Sequence, residues 1–301
     1  MMKPTLLVLA LAATHAAAQR PANTSVCDYY TTALLKDNNA TNQEALVTLV
    51  VNTAVIGNFT PNKLNILVPG ILAQNQTYNG SSVNLAAYFD GSLASTNNGG
   101  GAGVSVNFLD DGGATPLTKG KPSNGNTSDQ YKLLTHLYEY FGILLGCSQY
   151  GKPGYPAYAG DISMYSVHKY MALDPYDFGY FVQQVALSAA SFGVAEADLE
   201  YVGGALGNLF GHRCSAATSI APGEAATLQV ICITAPNATC SLYANVEDPK
   251  FANGSASSTQ HASGTSAPAA TSSTKNGAGV AKTMCGSLMV LFAMGTAYWL
   301  S

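Results

Sequence analysis

An all-α domain is what this sequence predicts, and three observations predict it. Four segments place apolar residues three and four positions apart, the spacing of one helical face. Glycine, proline and aspartate sit at the ends of these segments, where helices start and stop. The longest stretch without such spacing, 78–126, is rich in Gly, Asn and Ser and reads as an inserted loop, with an apolar run at 104–109 that suits a hairpin.

Taken in order, residues 43–57 bring Leu46, Leu49, Val50 and Thr53 to one face, although their β-branched content leaves a strand open. Residues 129–146 carry Leu133, Leu134, Leu137, Phe141, Leu144 and Leu145 at helical spacing. Residues 177–192 repeat this with Phe178, Phe181, Val182, Val185, Ala189 and Phe192. Asp174 then Pro175 form a good start for that helix, an N-cap followed by proline at the first position. Residues 195–212 close the series with Leu199, Val202, Leu206 and Leu209. Gly146 and Gly193 suit helix C-termini. Residues 227–246 alternate as strand, with Leu228, Val230 and Cys232 before a turn at Pro236-Asn237, so a small C-terminal β appendage is expected.

The ends of the chain carry processing signals. Residues 1–18 hold one lysine, a short apolar run and Ala16-Ala17-Ala18, the pattern of a signal peptide. The run is shorter than the roughly 20 residues that span a bilayer. Residues 277–301 end in an apolar tail preceded by the small residues Asn276, Gly277 and Ala278, the pattern of a glycolipid (GPI) anchor signal with attachment at Asn276. A tail-anchored helix is the rival. Residues 251–276 are Ser, Thr, Ala and Gly with little else, a stalk rather than a core. The expected divisions are therefore a signal peptide at 1–18, a helical domain at 19–215 with its insertion at 78–126, a cysteine-containing appendage at 216–250, the stalk, and the anchor signal.

Asn-x-Ser/Thr triplets at Asn23, Asn39, Asn58, Asn75, Asn79, Asn126, Asn237 and Asn253 agree with export and mark surface positions. Charged residues are only 10% of the chain, and glycans would supply the missing surface polarity. The net charge of −4 excludes a nucleic-acid footprint. The expected location is the outer face of the plasma membrane or the cell wall. Cysteines stand at 27, 147, 214, 232, 240 and 285. With Cys285 lost in the anchor signal, two disulfides and a spare thiol are expected. A Cys27–Cys214 bridge would staple the ends of the helical region, but the pairings stay open.

Hydrolytic motifs are missing: there is no Gly-x-Ser-x-Gly, His-Glu-x-x-His or Cys-x-x-Cys. Asp110-Asp111 reads as a solvated turn. His261 lies in the stalk, and His212 follows the last helix, where it favours the C-terminal dipole. His168 stands just before the helix capped at Asp174. Met164-x-x-x-His168-x-x-Met171-x-Leu173-x-x-x-Asp177-Phe178, followed by Val185, Ala189 and Gly193-Val194, resembles the F-to-G helix region of truncated globins. The register runs without a gap from Met164 to Val194. Tyr158-x-Gly160, Tyr140-Phe141 with Gly146, and Tyr88-Phe89-x-Gly91 are similar to that family's turn before the ligand helix, the end of its E helix and its porphyrin-edge phenylalanine.

The resemblance implies a globin-like fold and haem held through His168 as proximal iron ligand. Haem needs an apolar slot and one imidazole. Leu133, Leu137, Phe141 and Leu144 would form its wall, the helix from Asp177 its floor. Met164 and Met171 would share a helical face with His168, and Phe89 would pack on the ring edge. His136 is expected at the surface, with a distal or propionate contact as the alternative. Departures are Asn52 near the place of the family's distal tyrosine, Gly146-Cys147 in place of Gly-Gly, the long insertion, and export of a normally cytoplasmic fold. The implied activities are binding of a small diatomic ligand, peroxide chemistry or haem capture. The competing expectations are a non-enzymatic structural or adhesive surface glycoprotein on a haem-less scaffold, and a secreted hydrolase.

Overall fold

The computed structural model describes residues 19–231 apart from 61, 63, 97–102 and 213. The signal peptide, stalk, Asn276, the anchor signal, Asn237, Asn253 and most of the expected appendage lie outside the described residues. Within them the fold is mainly α. Seven helices run in order: α1 (Val26–Leu35), α2 (Ala40–Ile56), α3 (Ala114–Leu117), α4 (Asp129–Leu144), α5 (Met164–His168), α6 (Pro175–Ser191) and α7 (Glu196–Phe210). No helix among the described residues is long and apolar enough to cross a membrane.

Helix α2 is the centre. It packs on α1, α4 and α6, while α6 also packs on α7. Its burial explains why its sequence was ambiguous between helix and strand. Leu46, Val47, Val50, Val51, Ala54 and Val55 are all buried, so the helix is apolar nearly all round and has no solvent stripe. Asn39 caps it by accepting from the Asn42 N–H. Helix α6 starts with the expected cap: Asp174 accepts from the N–H groups of Tyr176 and Asp177, and Pro175 occupies the first position. Helix α1 has no counterpart in the apolar spacing and was not foreseen.

The insertion is ordered by side chains of the helices beneath it. Strands β1 (Gln76–Tyr78) and β2 (Ser81–Val83) form an antiparallel hairpin. Tyr78 lies against Gly179 of α6, where an added Cβ would come within 2.2 Å of its ring, so only glycine admits this contact. Farther along, fully buried Gln130 of α4 accepts from the N–H groups of Asp111 and Gly113 and donates to the carbonyls of Gly113 and Pro122. Asp110 accepts from the N–H groups of Asp129 and Gln130 at the start of α4. The Asp110-Asp111 pair is thus a structural turn that ties the insertion to a helix N-terminus.

Two expectations are corrected. Cys27 pairs with Cys147, not Cys214, joining α1 to the turn after α4. Cys214 is disulfide-bonded too. The β appendage does not form in its described part. Thr218 and Thr227 make one isolated bridge, and 228–231 run beside α5 without strand pairing. The alternation of Leu228 and Val230 fails because Gln229 and Val230, adjacent in sequence, are both buried.

Candidate apolar cavity at His168

A cavity of about 200 Å³ opens between α2, α4, α5 and α6. With its mouth, and counting the open solvent there, the space free of protein atoms is about 1250 Å³. Helix α4 contributes Leu133, Leu137, Tyr140, Phe141 and Leu144. Helix α6 contributes Phe178, Phe181 and Val185. Met164, Val167, His168 and Met171 come from α5 and the bend after it, and Phe89 from the insertion.

Every expected residue except His136 therefore meets here. His136 is half-buried on the flank of α4, edge-on to the Tyr158 ring at 5.2 Å between centroids, and does not line the cavity. Burial holds its imidazole below the usual range. Leu133 and Leu137 are only half-buried, whereas Leu134, Tyr138 and Phe141 form the buried face of α4. The cause is the cavity, which exposes the two leucines to empty space. Met171 also needs correction. Helix α5 ends at His168, so the methionine reaches the cavity from a bend and not from a shared helical face.

Sequence reasoning missed the contribution of α2. Val51, Ala54 and Val55 line the cavity, and Ile231 closes it from the C-terminal segment. Asn52 does not. It donates to the Leu117 carbonyl at 3.1 Å and accepts from the Tyr138 hydroxyl at 2.6 Å, facing α3 and α4. The missing signal was the all-round burial of α2, which hides the direction of any single residue.

Among the described residues His168 is the only histidine in the lining, and no lysine or arginine accompanies it. Its Nδ1 lies 2.8 Å from the Met164 carbonyl oxygen. A carbonyl cannot donate, so Nδ1 carries the proton and Nε2 keeps its lone pair. Burial lowers the imidazole's pKa, and the hydrogen bond to Met164 offsets part of that. The other polar groups are largely engaged. Tyr140 donates to Gln229 at 3.1 Å, Tyr88 accepts from the Ala172 N–H, and Asp177 accepts from the Asp174 N–H. Ser95 Oγ is buried without a partner.

Among the described residues no group of three or more His, Cys, Asp or Glu side chains is placed to hold a bare metal ion. One imidazole on an apolar wall suits a metal whose remaining ligands come with the cofactor, as in haem. A ring nitrogen fixed by a backbone carbonyl is the usual outer support for such a ligand. The residues present fit haem on both counts. Compared with known proteins, the chain matches no family model, no curated protein and no solved structure.

Proposed function

We propose that this chain is an extracellular, lipid-anchored haem-binding protein that holds its cofactor through His168 on a globin-like helical fold. The observation that carries the reading is the pairing of an apolar cavity with one neutral, backbone-anchored imidazole. The helix order is in keeping with it: a short histidine-bearing helix lies between α4 and α6, and α2 packs on both. Haem, when bound, would supply an iron centre able to take a diatomic ligand. The chain's own part is to aim Nε2, keep it unprotonated and exclude water with aliphatic and aromatic side chains. Among the described residues the lining holds no second histidine and no arginine. Binding of a small diatomic ligand, peroxide chemistry and haem capture are the activities such a site would serve.

The location rests on the surface chemistry. All six described sequon asparagines, at 23, 39, 58, 75, 79 and 126, are exposed. The Cys27–Cys147 bridge suits an oxidising compartment. The rival reading, a structural glycoprotein on a haem-less scaffold, would sit better with a side-chain-filled space beside His168, and that space is open.

The test is a haemin titration of the purified protein. A Soret band saturating at one haem per chain is expected, with affinity at least tenfold weaker in His168→Ala. A wild-type protein that develops no such band refutes the proposal.

A further inference from the structure

The last described segment, residues 227–231, holds the helix that carries His168. Gln229, 1% exposed, spends its whole side-chain amide on that neighbourhood. Its Oε1 accepts from the Met164 N–H at 3.3 Å and from the Tyr140 hydroxyl at 3.1 Å. Its Nε2 donates to the Ile162 carbonyl at 2.9 Å and to Thr227 Oγ1 at 2.7 Å. The Leu228 carbonyl accepts from the Tyr165 N–H at 3.2 Å and from the hydroxyl of Ser163, the α5 N-cap, at 2.8 Å. At the far end the Ile231 N–H donates to the Phe210 carbonyl, and Ile231 itself lines the cavity.

A five-residue helix is too short to hold itself in place. The first turn of α5, including the residue whose carbonyl orients the histidine, is instead bound to residues 63 to 65 positions away in sequence. We propose that Gln229 is the positioning residue of the site: by fixing Met164 and Ile162 it sets the orientation of the His168 imidazole. The inference rests on the haem reading for its purpose, but the hold on the imidazole is a property of the protein alone.

The full chain, without haem, is examined by NMR for its His168 ring-nitrogen shifts, and then titrated with haemin. Wild type is expected to show the Nδ1–H tautomer. Gln229→Leu is expected to show averaged ring-nitrogen shifts and about tenfold weaker haemin binding, the usual scale for loss of an outer support. Thr227→Ala removes one acceptor of Gln229 and is expected to move both readouts the same way by less. It decides the matter if Gln229→Leu does not fold. Folded variants with unchanged ring-nitrogen shifts overturn the inference. A wild type that takes up no haemin overturns the haem reading alone, and the shifts still decide whether Gln229 positions the ring.

Discussion

The Nδ1 atom of His168 lies 2.8 Å from the carbonyl oxygen of Met164, one helical turn earlier. The bond selects a tautomer and points to a pH dependence. Burial places the folded-state pKa below the ordinary 6.5. For a histidine shifted this way, its contribution to stability is intact above 6.5 and lost as pH falls through the folded-state value. Haemin binding follows the same window, because only the neutral ring can ligate. An NMR titration of the His168 ring should give a midpoint below 6.5, and one at or above 6.5 contradicts the assignment.

Leu137 faces empty space, so enlarging it should fill the cavity without crowding the packed face of α4. Leu137→Trp is expected to weaken haemin binding at least tenfold while leaving the thermal midpoint unchanged or slightly higher. Titration with haemin and thermal unfolding followed by circular dichroism check both halves. Undiminished haemin binding would place the ligand elsewhere.

Glu139 lies on another side of α4, outside the cavity lining. Its Oε2 is buried without a partner, and burial pushes its pKa up to about 7, with Glu44 on α2 adding repulsion. A carboxyl group raised in the folded state costs nothing below its unfolded pKa near 4.5, and the cost grows until pH reaches about 7. Glu139→Gln should therefore raise the melting temperature by about 2 °C at pH 8 and leave it unchanged at pH 4. Equal shifts at the two pH values would show that charge is not the cause.

Cys27 and Cys147 are separated by 120 residues, a span that includes the whole insertion. Replacing both with alanine should lower stability by about 3 kcal/mol. The urea midpoint under non-reducing conditions measures it. An unchanged midpoint would mean that the bridge is not formed in solution.

Much of the helical framework was legible. Helices α4, α6 and α7 end within about two residues of the positions read from Asp129, Asp174-Pro175, Gly146 and Gly193. Caps and solvent stripes are local signals, and each of these helices has a solvent face. Helix α2 was ambiguous because burial on all sides erases the stripe. Helix α1 was missed because its ten residues mix Tyr, Thr, Ala and Leu without a clean period. Met171 was misplaced because α5 stops at His168, a boundary that no proline or glycine announces.

Sequence alone determined where three of the helices start and stop, which asparagines face water among those described, and which histidine stands between the fourth and sixth helices. Those properties depend on residues within a few positions of one another. Tertiary structure alone decided that Cys27 meets Cys147, that α2 walls the cavity, and that Gln229 holds Met164 across 65 residues of chain. Such contacts depend on how distant surfaces fit, and periodicity along the chain carries no record of it.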